Sequence, residues 1–278
     1  MSSRFVPMSK TVDKSKINHF VSELGCIDRL LVLTGAGVST ESGIPDYRSH
    51  KVGLYERTNH RPIQHSEFMK SESIRQRYWA RNFLAWPNFS QAPCNVTHKA
   101  VARWERSSRF VWLITQNVDG LHSKAGSEMI TELHGSGHFV RCMSCEYRIP
   151  RNDFQVQLAS LNPQWLQQHT KPGELAPDGD GFVVAPCMEC GGVMKTDVIF
   201  FGDNVPRKIV DFCYEKVEEC DGILVLGSSL TVMSGYRFVY QASLQGRPIF
   251  IANIGPTRAD HLATMKIECK LSQLVEKI

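Results

Sequence analysis

The sequence lacks three features that would each place it in a particular class of protein. No stretch of its 278 residues approaches the roughly eighteen uninterrupted apolar residues of a membrane-spanning helix. Its amino-terminal segment, MSSRFVPMSKTVDKSK, has no apolar core of the kind found in secretory signal peptides. A net charge of +4, without a dense basic cluster, gives no reason to expect nucleic-acid binding. We therefore expect neither a membrane nor a nucleic acid as partner.

The overall composition is that of an ordinary folded protein. The chain is 42% hydrophobic and 22% charged, and it is long enough to bury a full core. Its nine cysteines, in the absence of a secretory signal, favour reduced thiols and metal binding over disulfides. The short basic, serine-containing start is a weak indication of a removed organelle presequence.

Four short apolar runs predict a parallel β-sheet. The runs are Leu30–Leu33, Phe110–Ile114, Ile223–Leu226 and Pro248–Ala252, and polar or glycine residues follow each one at once. Buried parallel strands have this unbroken apolar character, and the segments between them are compatible with helices. The pattern predicts an α/β fold with a Rossmann-like, doubly wound sheet. Ligands gather at the carboxyl ends of such strands, where the polar residues lie.

Two segments do not fit the sheet and predict a second, smaller lobe. The spacing of apolar residues from Ile63 to Trp86 is helical, whereas the stretch from about His138 to Met194 has two cysteine pairs and a loop rich in Pro, Gly and Asp (Asn162 to Pro186). We expect a single catalytic core with a Rossmann-like lobe at about 12–47, 93–137 and 195–278. A helical module at about 48–92 and a zinc-binding module at about 138–194 form the small lobe.

The two cysteine pairs predict a structural zinc ion. Cys142 and Cys145 form one CxxC pair, and Cys187 and Cys190 form the other. Four thiolates complete a closed tetrahedral site, whereas catalytic zinc needs an open position. A redox CxxC or a chance spacing are the alternatives, and paired CxxC motifs are more specific than either.

The first strand is followed by a glycine turn that predicts phosphate binding without hydride transfer. Gly35 and Gly37 allow backbone N–H groups to approach a pyrophosphate closely. The dehydrogenase fingerprint requires a third glycine where this chain has Thr40, and an acidic residue closing a second strand about twenty residues later. That later region, residues 45–51, is a loop.

Several motifs occur together and in a family-specific order. They are GAGVSTESGIPDYR (35–48), TQNVDGLH (115–122), LHG (133–135), the four cysteines, FFGD (200–203), GSSLTV (227–232) and Asn253. Together they closely resemble the sirtuin family of NAD-dependent protein-lysine deacylases, from about Leu30 to Cys269. The resemblance implies cleavage of nicotinamide from NAD, release of O-acyl-ADP-ribose and an acyl-lysine protein as substrate. We expect the enzyme to be a monomer.

The resemblance also implies roles for individual residues. His134 and Asn117 are the implied catalytic residues, with His134 as the base. The implied cofactor-binding residues are Gly35, Ala36, Gly37, Pro45, Asp46, Tyr47, Arg48, Gln116, Asn117, Val118, Asp119, His134, Gly227, Ser228, Ser229, Asn253, Ile254 and Cys269. The implied substrate-binding residues are Tyr78, Arg81, Val198, Ile199, Phe200, Phe201, Gly202 and Val232, with the peptide adding as a strand between 198–202 and 227–232.

The residue types agree with the implied chemistry. Glycosidic cleavage proceeds through an oxocarbenium-like state that requires a base and a carboxylate, and histidine titrates near working pH. A histidine before glycine, taken alone, is more often structural. Three positions depart from the family pattern: Tyr47 replaces Phe, Asp203 replaces Glu and Ser234 replaces Pro.

Within the family the chain is most similar to the mitochondrial sirtuin 4 branch (class II), through RPIQH (61–65), RQRYWARNF (75–83), LAPDGD (175–180) and NIGPTR (253–258). This implies a location in the mitochondrial matrix. Tyr78 and Arg81 share one helix face and resemble a pair that binds acyl carboxylates. We therefore hypothesise a preference for acidic or bulky acyl groups, such as hydroxymethylglutaryl or lipoyl, over acetyl. The alternative is that Arg81 makes a surface ion pair while Tyr78 packs in the small lobe.

Two other functions compete with deacylation. Protein mono-ADP-ribosyl transfer begins with the same loss of nicotinamide at the same site. A non-catalytic NAD sensor or zinc-ribbon interaction module is the second rival, and the presence of both His134 and Asn117 argues against it.

Overall fold

The computed structural model describes residues 4–8, 12–57, 62–168 and 178–278. The strands are β1 (Leu30–Thr34), β2 (Phe110–Thr115), β3 (Ile130–Glu132), β4 (Gly135–Cys142), β5 (Arg148–Pro150), β6 (Met194–Val198), β7 (Gly222–Leu226), β8 (Ile249–Ala252) and β9 (Met265–Ile267). The α-helices are α1 (Lys14–Leu24), α2 (Leu54–Arg57), α3 (His65–Lys70), α4 (Glu72–Ser90), α5 (Val96–Trp104), α6 (Leu121–Lys124), α7 (Arg151–Leu161), α8 (Arg207–Glu219), α9 (Met233–Leu244) and α10 (Leu271–Val275).

The larger lobe contains a six-stranded parallel sheet in the order β3-β2-β1-β7-β8-β9. The predicted Rossmann-like class is confirmed, and each of the four predicted strands ends within one residue of its predicted bounds. The prediction omitted β3 and β9. Each has only three residues at an edge of the sheet and lacks the fully apolar run of a central strand.

Both faces of this sheet are buried because its central strands are apolar throughout. Every residue of β1, β7 and β8 is buried. Alternate residues of β1 enter different cores: Val32 packs with residues of α1, α5 and α10, while Leu31 and Leu33 pack with residues of α8 and α9. Helices on both faces leave the carboxyl ends of the strands as the open edge, which is where the site lies.

The small lobe combines a three-stranded antiparallel sheet, β5-β4-β6, with α3, α4 and α7. Its core is aromatic, with Trp79, Phe154 and Phe182 completely or almost completely buried. The predicted helical segment is confirmed as two helices, separated at Ser71, which caps α4 through a hydrogen bond to the Ile74 amide. The stretch from about 138 to 194 has more regular structure than expected. It contains α7, which buries Phe154 and Leu158 at i and i+4.

Part of the loop from Asn162 to Pro186 lies outside the described residues, at 169–177. Residues 58–61, which include the start of the RPIQH motif, also lie outside them. Within the described ranges, no helix has both the length and the apolarity needed to cross a membrane.

Candidate active site

One cavity of about 1430 Å³ lies at the carboxyl ends of β1, β2, β7 and β8, where the small lobe meets the sheet. All the substrate-binding residues that the sequence predicts line this cavity, and so do the predicted cofactor-binding residues except Pro45 and Asp119. The fold therefore gathers into one place side chains that are spread over more than 230 residues of sequence. Their individual roles remain predictions.

The glycines after β1 allow two strand-end loops to touch. The N–H of Gly37 donates to the carbonyl of Gly227 at 2.8 Å, and a Cβ at Gly37 would lie 2.8 Å from the Gly227 Cα. Gly227 has φ +58°, which favours glycine. The chain continues as a 3₁₀ helix, Ala36–Ser42. Gly37 is thus required for contact between the loops. Its N–H already donates to the Gly227 carbonyl, so in this structure it does not point freely into the cavity.

Asp119 lies beneath the cavity and is held by three donors. Its Oδ2 accepts from the Ser39 hydroxyl at 2.6 Å and from the Asn117 amide at 3.3 Å, and its Oδ1 accepts from the Leu121 N–H at 3.0 Å. Asn117 also donates to Ser39 at 3.2 Å. Asp119 is 6% exposed and Asn117 is 8% exposed, so this hydrogen-bonded polar network is rigid and shielded from solvent.

Two buried histidines, His98 and His122, lie beside this network with their rings 4.7 Å apart, and neither role was predicted from the sequence. The Asn95 N–H donates to His98 Nδ1 at 3.2 Å, which leaves Nε2 protonated and 3.4 Å from the Ser39 hydroxyl. Burial lowers the pKa of His98 to about 4, and burial holds the pKa of His122 well below its usual range. Both rings are neutral at neutral pH. The one available signal was Asn95 at capping distance before His98.

His134 presents an unprotonated nitrogen to the cavity. Its Nδ1 lies 2.9 Å from the Gln116 carbonyl, which can only accept, so Nδ1 carries the proton and Nε2 is the free base. Burial lowers the pKa of His134 and thereby favours the neutral ring. The Gln116 side chain donates to the Ser228 hydroxyl at 2.8 Å, which joins β2 to the loop after β7.

The loop after Gly43 is organised by Asp46 and carries a cation at the cavity. Asp46 Oδ1 accepts from the backbone N–H groups of Arg48 at 3.0 Å and Ser49 at 2.7 Å. The Arg48 guanidinium lies 5.5 Å from the ring centre of Tyr55. Asp46 therefore shapes the loop, while the charge of Arg48 suits a phosphate.

The predicted substrate segment is anchored on both sides. The Ile199 N–H donates to the His134 carbonyl at 2.8 Å, and the Phe201 carbonyl accepts from the His65 N–H at 2.9 Å. An isolated parallel bridge pairs Gln64 with Phe201. These contacts fix the segment relative to the base and to the start of α3.

Tyr78 and Arg81 both line the cavity, but their polar atoms differ in availability. The Tyr78 hydroxyl is 2.5 Å from the Thr196 hydroxyl, and burial raises the pKa of Tyr78 to about 12. Arg81 makes a 3.5 Å ion pair with Asp178, whose side chain is 79% exposed. The Arg81 Nε is buried and has no hydrogen-bond partner among the described residues. Thr196 was not identified from the sequence, since it lies 118 residues from Tyr78.

The four cysteines form a compact cluster that suits zinc. Cys142 and Cys190 have their Sγ atoms 3.5 Å apart, those of Cys145 and Cys187 are 3.7 Å apart, and all four lie within 4.8 Å of one another. A tetrahedron of about 2.3 Å Zn–S bonds has sulfurs about 3.8 Å apart. The predicted structural zinc site is thereby supported by its donor geometry.

Comparison with known proteins identifies the family. The Sir2 family pattern matches residues 35–234, well over half of the chain. The chain belongs to the Sir2 family. The NAD-dependent protein deacylase sir-2.2 of Caenorhabditis elegans is 55% identical, with both chains covered completely. The human NAD-dependent protein lipoamidase sirtuin-4, mitochondrial, is 50% identical over 99% of this chain and 89% of its own length.

Solved Sir2 structures share the fold. A structure on the mechanism and regulation of Sir2 enzymes has a TM-score of 0.76 and 28% identity, covering 95% of this chain and 96% of its own. A Sir2 complex with a p53 peptide and NAD has the same TM-score and 26% identity, covering 94% and 96%. The resemblance to sirtuins is confirmed, and so is the use of NAD. The activity that the family membership establishes is NAD-dependent deacylation of acyl-lysine proteins.

Proposed function

We propose that this deacylase removes acidic or bulky acyl groups, of the hydroxymethylglutaryl or lipoyl kind, in preference to acetyl. The observation that carries the proposal is Arg81, which lines the cavity with a buried, unpartnered Nε among the described residues. A buried guanidinium nitrogen without a partner is costly, and an acyl carboxylate or other acyl oxygen would satisfy it. Its only ion pair within those ranges is long and made to an exposed carboxylate.

The residues of the cavity divide the reaction between them. When bound, NAD supplies the ribosyl carbon that bonds to the acyl oxygen as nicotinamide leaves. Asn117 at the cavity wall is held in place by its hydrogen bond to Asp119 behind it, and Arg48 provides a cation for the phosphates. His134 then takes a proton from a ribose hydroxyl at Nε2, because its Nδ1 proton is engaged by the Gln116 carbonyl.

The relatives support the acyl preference and the location, both of which we propose for this chain. The human and bovine relatives are named as lipoamidases and as mitochondrial. We propose that this protein also removes lipoyl groups and acts in the mitochondrial matrix as a monomer. The rival activity, mono-ADP-ribosyl transfer to a partner protein, has no contact in its favour among the described residues.

The proposal is tested by kcat/KM for one peptide carrying acetyl, hydroxymethylglutaryl or lipoyl lysine. Arg81→Ala should lower the value for the acidic acyl group by about tenfold to a hundredfold, since a charge-assisted hydrogen bond contributes about 1.5 to 3 kcal/mol. The acetyl value should change little. The exposed Arg103 on α5 provides the matched control, Arg103→Ala.

Acetyl as the best substrate, or equal losses for all three peptides, would refute the acyl preference. Mass spectrometry of the products separates the two activities. Free lysine with acyl-ADP-ribose supports deacylation, whereas ADP-ribose attached to the partner protein supports transfer.

A further inference from the structure

Helix α9 begins at the cavity and brings two small residues against the base and its supporting glutamine. The Ser234 Oγ lies 2.7 Å from His134 Nε2. A Cβ on the next residue, Gly235, would lie 2.6 Å from the terminal side-chain carbon of Gln116, so a larger residue there would displace the Gln116 side chain. Ser234 itself lines the cavity.

The direction of the Ser234–His134 hydrogen bond follows from the protonation of Nδ1, the other nitrogen of the His134 ring. Nδ1–H of His134 donates a hydrogen bond to the Gln116 carbonyl, with the two heavy atoms 2.9 Å apart. Nε2 of the neutral ring therefore has a lone pair, and the Ser234 hydroxyl must donate to it. A hydroxyl within hydrogen-bond reach of a base, whose far nitrogen is oriented by a third group, is the arrangement of an activated nucleophile. Here the third group is the backbone carbonyl of Gln116, which orients the His134 ring.

We propose that Ser234 and His134 form an activated serine–histidine pair, and that Ser234 is a site of covalent self-modification by ADP-ribose when no acyl-lysine occupies the cavity. This rests on NAD use at the site, as in the proposed function. The Ser234 Oγ attacks the ribosyl carbon, the carbon–nitrogen bond to nicotinamide breaks and nicotinamide leaves with its electron pair. The Ser234 proton passes to His134 Nε2, and an O-glycosidic bond joins ADP-ribose to the serine.

The ribosyl carbon of NAD is the electrophile that the deacylase reaction already uses at this site. In that reaction the acyl oxygen attacks the ribosyl carbon as nicotinamide leaves, and in the self-modification Ser234 takes the place of the acyl oxygen as nucleophile. The acyl oxygen of a bound substrate reacts at the same carbon. Saturating acyl peptide should therefore suppress the modification.

The first arm of the test uses neither NAD nor peptide, so its outcome does not depend on the proposed acyl preference. The full-length protein is incubated with a fluorophosphonate probe, which phosphonylates activated serines, and labelled peptides are mapped by mass spectrometry. We expect label on Ser234, a loss of at least tenfold in Ser234→Ala and in His134→Gln, and no change in Ser243→Ala. Ser243 is partly exposed and lies on the same helix, and its hydroxyl donates to the Tyr240 carbonyl.

Thermal melting identifies any variant that fails to fold. Ser234→Cys then tests the pair in a second way, since a thiol beside His134 should react with iodoacetamide faster than the exposed Cys26 does. An unlabelled Ser234 in the folded wild type, or labelling that survives His134→Gln, would overturn the activated pair.

The second arm incubates the protein with NAD alone. We expect the intact mass to increase by one ADP-ribosyl group, mapped to Ser234 and absent from Ser234→Ala. Saturating acyl peptide should reduce the modified fraction at least fivefold. No ADP-ribose on Ser234, in protein that the fluorophosphonate labels there, would overturn the transfer step.

Discussion

The two lobes are stabilised in different ways. In the sheet lobe, strands β1, β7 and β8 are apolar and completely buried, and helices cover both faces. The small lobe has an antiparallel sheet of three strands, an aromatic core and four clustered thiols. We therefore expect the sheet lobe to be stabilised mainly by apolar burial, and the small lobe to depend on its metal site in addition to its aromatic core.

The small lobe also buries two cations, which the sheet core does not within the described residues. Arg151 is completely buried between the rings of Trp79 and Trp86, and the nitrogens of its guanidinium have no hydrogen-bond partner there. Burial lowers the pKa of Arg151 to about 10. Lys195 is 3% exposed, donates to two backbone carbonyls and lies 4.3 Å from the ring centre of Phe200. Such charges reduce stability, so the metal has more to compensate in this lobe.

The largest effect should come from removing the metal. Structural zinc binding contributes on the order of 10 kcal/mol in zinc-finger peptides, so chelation or Cys187→Ser should unfold the small lobe and abolish deacylation. Trp79 in the small lobe and Trp112 in the sheet lobe report the two parts separately. In variants that retain only one of these tryptophans, we expect the Trp79 emission to shift on chelation while the Trp112 emission does not. Cys26→Ser, at an exposed thiol, is the control. An unchanged Trp79 signal in metal-free protein would contradict the comparison.

A smaller effect should follow from neutralising Lys195. Burial lowers its pKa from 10.5 to about 8, so between these values the unfolded chain binds more protons and stability rises with pH. The destabilisation that comes from burying the charged Lys195 ammonium is complete below about pH 8 and absent above about pH 10.5. Relative to Lys195→Met, the wild type should therefore gain about 3 kcal/mol in free energy of unfolding across this window. Urea unfolding at several pH values measures the difference. Lys208→Met, at an exposed lysine of α8, should give a flat line, and an equally flat line for Lys195→Met would be inconsistent with a buried charge.

The smallest effect should arise at Tyr78 and Thr196, in the acyl pocket that we propose for the small lobe. Thr196→Val keeps the shape of the side chain but releases the Tyr78 hydroxyl, which is then able to donate to an acyl carboxylate. We expect the preference for hydroxymethylglutaryl over acetyl lysine, as the ratio of kcat/KM values, to rise by roughly twofold to tenfold, the equivalent of one hydrogen bond. Adding Tyr78→Phe should remove the gain. A gain that persists in the double variant would show that Tyr78 has no part in it.

The sheet and the cysteine cluster were predictable because each has a local signature. Runs such as Leu30–Leu33 predict buried strands, and two CxxC pairs predict a metal site, without knowledge of distant contacts. Helix α7 and the edge strands β3 and β9 were missed because short or weakly patterned segments obtain their structure from tertiary packing. The gathering of the site residues in one cavity follows the expected rule for parallel sheets.

The partners inside the site were less accessible to sequence reasoning. Ser39 and Asp119 are 80 residues apart, and His134 and Ser234 are 100 residues apart, so no spacing rule connects them. The sequence marked Ser234 only as a departure from the family pattern near the substrate groove. Its contact with His134 depends on how closely α9 approaches the end of β2, where Gly235 lies against the Gln116 side chain.

The contact between Gly37 and Gly227 also has a consequence for biosynthesis. These residues are about 190 positions apart, and β1 pairs with β7 on one side. At about 5 to 20 residues per second, a ribosome needs about 10 to 40 s to make the intervening chain. During that interval β1 presents an unpaired apolar edge, which is a template for aggregation. The nascent protein is therefore most in need of chaperone protection before β7 emerges, and a chain that ends before Gly222 has no complete cavity.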